Sequence, residues 1–211
     1  MVNASRADTV DTRPTYTTGA AWGWMSASLG MAQSGNATLE RSQVAAWFGR
    51  SLGQWTVRAV GGGVFGGQWR ADNVLVAVTP GWIAGVSASR MWSDGDSVRP
   101  YLRSTFALAA ARHGLADGGT ITAADLRISG EAGWRLGAGV QVYAAAAAFG
   151  GPVVWSRPGH ATDWGGDRWH VQAGGGAAWS PQVQWAARPS VFVQAMVVGE
   201  LGVSAGLGLS L

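Results

Sequence analysis

The sequence predicts an all-β fold: a transmembrane, antiparallel, up-and-down β-barrel of about ten strands, with eight or twelve also compatible with the turn pattern. Three observations carry this. First, from Val203 to the end, Val203, Ala205, Leu207, Leu209 and Leu211 alternate with Ser204, Gly206, Gly208 and Ser210. Such period-2 alternation marks a strand with two faces, here one aliphatic and one small and polar. Second, the chain is 47% hydrophobic and only 13% charged, yet mean hydropathy is just +0.10. A barrel hides its apolar content in alternation, whereas a helical membrane protein needs an uninterrupted run of roughly 18 apolar residues. The best candidate run, Val140 to Trp155, is broken by Gln141, Gly150, Gly151 and Pro152. Third, strand-like segments recur at regular spacing, and each is long enough to supply the about 9–11 residues of a tilted membrane strand.

In chain order these segments are Thr18–Gln33, Gln43–Ser51, Trp55–Arg70, Val78–Trp92, Pro100–Arg112, Ile121–Leu136, Gln141–Ser156, Arg168–Trp179, Ser190–Val198 and Leu201–Leu211. The first two have ambiguous faces, because Trp22, Trp24 and Trp47 fall on the wrong parity for a small lumen. Leu52-Gly53-Gln54 then forms a tight turn. In Trp55–Arg70, Trp55, Val57, Ala59, Phe65 and Trp69 oppose Thr56, Arg58 and Gln68, with Trp at both ends of the apolar face. The fourth and fifth segments follow Ala71–Ala77 and precede His113–Thr120, stretches rich in turn formers that read as longer loops, as does Ser34–Arg41.

Ile121–Leu136 has the clearest two faces. Leu126, Ile128, Gly130, Ala132, Trp134 and Leu136 lie opposite Asp125, Arg127, Ser129, Glu131, Gly133 and Arg135. Gly137-Ala138-Gly139 is a second tight turn. Gln141–Ser156 reads as one strand, followed by the longest loop, Arg157–Asp167. In Arg168–Trp179, Trp169, Val171, Ala173, Ala177 and Trp179 oppose His170, Gln172, Gly174 and Gly176. Amphipathic rings at strand ends suit a bilayer interface, so Trp55, Trp69, Trp134, Trp169 and Trp179 are expected to form aromatic girdles facing lipid.

Composition excludes several functions. There is no cysteine, so neither disulfides nor thiol chemistry arises. The net charge of +3 comes from arginines spaced singly along the chain, whereas a nucleic-acid surface concentrates its charge, so no nucleic-acid partner is expected. Met1 to Thr18 is polar and lacks the apolar core of a secretory signal. Residues 1–17 read as a flexible tail and 18–211 as a single barrel, with the export signal expected upstream or already removed.

Two catalytic patterns fail on context. Gly202-Val203-Ser204-Ala205-Gly206 has nucleophile-elbow spacing, but no His or Asp follows it. Gly61, Gly63 and Gly66 have dinucleotide-loop spacing, but Gln68-Trp69-Arg70 opens no helix. No cofactor is expected. His160, Asp163, Asp167 and His170 fall within eleven residues and have the side-chain types of a metal site or an acid/base pair at a barrel rim. They define the alternative reading, an enzyme acting on lipid or peptide. A second alternative is a soluble β-barrel holding an apolar ligand. The main expectation is non-enzymatic: a structural or narrow-channel barrel. Its lumen would hold a network of Arg58, Arg103, Asp125, Arg127, Glu131 and Arg135, joined by Glu200, since charges in a narrow interior must be paired or wet.

The ending also resembles that of bacterial outer-membrane β-barrel proteins, which close on a polar residue, a Gly, an apolar residue and a final aromatic at set spacing. Ser204, Gly206, Leu209 and Leu211 occupy these positions, with Leu in place of the usual aromatic. The resemblance implies a Gram-negative outer-membrane location, with the lipid bilayer and the outer-membrane assembly machinery as partners. It implies no particular activity.

Overall fold

The computed structural model describes residues 15–71, 74–181 and 187–211. It is all-β apart from one 3-10 turn at Gly137–Gly139. The strands are β1 (Thr15–Met31), β2 (Gly35–Leu52), β3 (Trp55–Ala71), β4 (Val74–Ser93), β5 (Tyr101–Leu115) and β6 (Thr120–Arg135). They continue with β7 (Val140–Gly150), β8 (Pro152–Ser156), β9 (Asp163–Asp167), β10 (Val171–Trp179), β11 (Arg188–Val198) and β12 (Leu201–Ser210).

Ten of them close an antiparallel ring in the order β1-β2-β3-β4-β5-β6-β7-β10-β11-β12, with β12 returning to β1. The closing seam runs from Thr17 opposite Ser210 to Ser26 opposite Leu201. Thus the alternating C-terminal segment is the strand that completes the barrel, and its Gly and Ser positions face the lumen. Small residues there let neighbouring walls approach. A Cβ on Gly19, for example, would fall 2.2 Å from both the Leu207 carbonyl and the Trp47 ring.

The ring is not uniform in height. β1 to β6 run 15 to 20 residues, whereas β7, β10, β11 and β12 run 9 to 11. Above the short strands, the β8–β9 hairpin fills the gap by pairing with β6 on one side and β1 on the other. The upper part is therefore a second closed circuit of eight strands, β1 to β6 plus β8 and β9. Following hydrogen-bonded neighbours from Trp22 through Val44, Gly63, Trp82, Arg112, Thr122, Val154 and Trp164 returns to β1 at Ala32. This stagger is what tilts the strands of a closed barrel.

The two stories have opposite interiors. The eight-strand upper story holds the hydrophobic core, including Leu29, Leu39, Val64, Trp69, Ile121, Val153 and Trp155. Trp69 and Trp155 meet edge to face at 5.2 Å between ring centroids, a favoured aromatic geometry. The ten-strand lower story has an interior mainly of Gly, Ala, Ser and polar side chains, with the rings of Trp47 and Phe192 among them.

Several expectations are corrected here. Trp69 is no interface aromatic: it is 0% exposed at the centre of the upper core. The cause is a bulge at Gly66 and Gly67, both at positive φ, where the β2–β3 register shifts. One extra residue reverses parity, so Phe65 faces outward while Trp69 faces in. A second shift between Val78 and Gly81 does the same on β4. Ser34–Arg41 is mostly strand, the loop expected at His113–Thr120 shortens to the turn Ala116–Gly119 between β5 and β6, and β4 already begins at Val74. Their turn-forming residues conceal inward apolar positions such as Leu39 and Leu115. Gln141–Ser156 breaks into β7 and β8 at Gly151, where a Cβ would strike the Ala124 carbonyl at 1.8 Å. The stretch expected as the longest loop contains β9. The proposed tail, 1–17, lies outside the described residues except for Thr15–Thr17, which begin β1.

Candidate functional site

The lumen of the ten-strand story is the candidate site, and it divides the charged residues into two clusters. Nearer the chain termini, Arg103 on β5 stands directly opposite Glu131 on β6, and the two form an ion pair. Tyr101, two residues before Arg103 on the same face, donates its hydroxyl to Glu131 at 2.6 Å. Strand alternation alone places all three groups inward. Arg58 enters from β3 with its Nε buried and unpartnered among the described residues. Arg135 is inward by parity but exposed at the mouth. Trp47 also points into this region, its ring centroid 6.0 Å from that of Phe192. The parity that looked wrong for a small lumen is accommodated by glycines opposite, chiefly Gly19.

The second cluster lies higher. Arg127 binds Asp125 at 3.0 Å and Glu200 at 2.9 Å, and its guanidinium sits 4.7 Å from the centroid of Phe149. Glu200 belongs to the β11–β12 turn, so this ion pair ties the shortest part of the wall to β6. Arg41, Asp167 and Gln172 face the same space. Arg41 here, and Tyr101 of the lower cluster, were missed in the sequence, and Gln172 was read only as a position on the polar face of its strand. Arg41 lay in a supposed loop, and the neutral groups carry no charge signal.

Two cavities of about 380 Å³ each follow this division. The lower is lined by Arg58, Tyr101, Arg103, Glu131 and Tyr143. The upper is lined by Met25, Arg41, Asp125, Arg127, Asp167 and Glu200, with Leu29, Leu39 and Val153 of the hydrophobic core above it. Gln194 lines both.

The four residues considered as a rim site do not gather into one cluster, although Asp167 and His170 stay close enough to interact electrostatically. Asp163 is buried and accepts hydrogen bonds from the backbone N–H of Gln33 and Ser34, at 2.9 and 3.0 Å, and from the Ser34 hydroxyl. It fastens the β8–β9 hairpin to the β1–β2 turn. Burial pushes its carboxyl up, but the donated hydrogen bonds outweigh this and hold it below the usual Asp range. Asp167 turns into the lumen opposite Leu29 in the β1–β9 register. His170 places Nδ1 3.3 Å from the Phe149 carbonyl, and His160 is exposed in the hairpin loop. Among the described residues, no three His, Asp or Glu side chains gather as a metal site would require. The two glycine motifs also lie in strands: Gly202–Gly206 in β12 and Gly61–Gly66 along β3 into its bulge.

Trp55, Trp134, Trp169 and Trp179 face outward, at 47%, 38%, 58% and 48% exposure. Trp92 joins them at 57%. Trp55, Trp92, Trp134 and Trp179 all stand at the strand ends nearest the chain termini. Moving ten residues away from the termini, β3 presents Phe65, β4 presents Trp82, and the segment leading into β10 presents Trp169, all outward. Ten residues at ~3.3 Å rise and ~40° tilt span about 25 Å. Between the two rows the outward residues on these strands are Val, Ala and Gly, plus Arg90, whose guanidinium lies 4.0 Å from the centroid of Trp92.

No protein-family model and no curated protein sequence matches the chain. Among solved structures it is similar to a loop-deletion mutant of OmpT, an outer membrane protein of Vibrio cholerae (TM-score 0.35, 12% identity), over 87% of this chain. The chain spans 61% of that protein's length. It is also similar to the transport unit of the autotransporter AIDA-I from Escherichia coli (TM-score 0.32, 11% identity), over 98% of this chain and 92% of that one. These likenesses are too distant to assign a family or an activity.

Proposed function

We propose that the chain is an integral outer-membrane barrel with a non-enzymatic, structural role, closed on its outer side and braced within by the Arg/acid pairs of its lumen. The observation that carries the membrane reading is the pair of aromatic rows. On β3, on β4 and along β10 with the segment leading into it, they are spaced by the height of the apolar band of a membrane barrel, about 25 Å. The band between them includes Val57, Val86, Leu108, Leu126, Ile128, Val193 and Leu207, all at least 42% exposed. So much exposed apolar surface is costly in water and suits hydrocarbon. The soluble-barrel alternative needs the reverse polarity, apolar inward and polar outward at this level. In the direction of the chain, Thr15, where β1 begins, and Leu211 lie at the end that would face the periplasm, and the eight-strand story projects outward beyond the band.

The upper core supports closure rather than conduction. Leu29, Trp69, Ile121 and Trp155 are at most 2% exposed and fill the outer story around the buried His113, a packing that disfavours a path for a hydrated ion. That His160, Asp163, Asp167 and His170 do not gather into one cluster supports a non-enzymatic reading over a rim enzyme. Planar-bilayer recording tests it. The intact protein is expected to give no sustained single-channel steps, and removal of residues 152–167 is expected to introduce them. Stable steps from the intact protein would overturn the closed reading in favour of a narrow pore.

A further inference from the structure

The upper chamber has the features of a binding site that the bracing role does not use. It lies under the apolar core and is lined by residues from many strands, so its groups are held on rigid elements. Three buried polar atoms that face it have no hydrogen-bond partner among the described residues: Arg41 Nη1, Gln43 Oε1 and Asp125 Oδ1. Arg41 itself is only 9% exposed. Leaving such a donor buried without a partner costs about 1–3 kcal/mol, and more for a charged group. Arg127 is satisfied by Asp125 and Glu200. Arg41 and Asp167 remain, and among the described residues neither makes an ion pair. The chamber thus presents one cation, one separate carboxylate and two further acceptors. Its volume of about 380 Å³ falls at the small end of ligand pockets. It exists because the facing β5 and β6 positions, Ala107, Ala109, Ala111 and Ala123, are small.

We propose that this chamber binds a small zwitterion of the α-amino-acid type with a short aliphatic side chain. The carboxylate pairs with the Arg41 guanidinium, which offers a planar fork of donors matched to two oxygens. The ammonium is received by Asp167, Asp125 Oδ1 and Gln43 Oε1, which are acceptors only or can present one. The aliphatic part meets Leu29, Leu39 and Val153 at the roof. A ligand with only one of the two charges leaves either Arg41 or Asp167 unpaired, and is rejected for that reason. This site belongs to the barrel interior and goes beyond the bracing role. It stands or falls independently of conductance.

The test is calorimetric titration of the detergent-solubilised full chain with L-leucine, alongside L-leucinamide, which lacks the carboxylate, and 4-methylpentanoate, which lacks the amine. Saturable L-leucine binding is expected, with both analogues weaker by about tenfold or more. Arg41→Gln and Asp167→Asn are each expected to weaken L-leucine by a similar factor. Ala109→Leu, which fills the chamber beside Asp125 without adding or removing a charge, is expected to abolish binding. Each variant is first checked for the native heat-dependent shift on a gel, so that loss of fold is not read as loss of the site. No saturation by L-leucine in the millimolar range would overturn the proposal. So would binding undiminished in folded Ala109→Leu, or equal affinity for all three probes.

Discussion

At the residue scale, single side chains act according to which story they enter. Trp69 fills the centre of the upper core, so Trp69→Ala is expected to destabilise the fold by about 3–5 kcal/mol, the range for truncating a large buried aromatic. Reversible urea unfolding in detergent measures this. Trp134→Ala, by contrast, removes an outward ring at 38% exposure and is expected to shift the same transition by less than half as much. Gly19 is constrained by the near approach of Leu207 and Trp47. Gly19→Leu is expected to prevent closure of the β1–β12 seam, read as loss of the compact unboiled band. The inward parity of Asp125, Arg127 and Glu131 was legible from alternation in Ile121–Leu136, because no bulge interrupts that strand. Trp69 was not legible, because its parity depends on a glycine pair whose backbone conformation the alternation rule does not see.

At the element scale, the β8–β9 hairpin is the part most open to local loosening. It holds to β6 and β1 through short ladders and through the Asp163 clamp on the β1–β2 turn. Because the folded carboxyl sits below its unfolded value of ~3.9, its contribution is fully present above that pH and is lost as pH falls through the folded value. Protease cleavage within residues 157–162 is therefore expected to accelerate below about pH 4 and to be slow at neutral pH. Asp163→Asn is expected to show faster cleavage at neutral pH and little further change on acidification. A wild-type rate that is flat between pH 3 and pH 7 would argue against the clamp. The hairpin was invisible in the sequence. Asp163 and Asp167 stood out only as members of a His/Asp group, since a five-residue strand rich in Gly has no periodic signal to distinguish it from a loop.

At the scale of the whole molecule, closure, strand number and the outward apolar band were legible, because each is repeated many times along the chain. The two-story build was not. It depends on β1 to β6 outrunning the other strands and on which edges the hairpin reaches, both of which are long-range pairings. The same pairing sets a largely apolar cap above the two chambers of the lumen. The central claim is that the band between the two aromatic rows lies in hydrocarbon. It is tested most directly by tryptophan emission of the protein reconstituted into vesicles with brominated acyl chains, compared with unbrominated vesicles. The outward tryptophans at and between the rows, Trp22, Trp55, Trp82, Trp92, Trp134, Trp169 and Trp179, are expected to be quenched. A residual emission from the enclosed Trp69 and Trp155 is expected to survive. Emission unchanged by bromination, with protein that remains soluble when the vesicles are floated away, would contradict the membrane assignment.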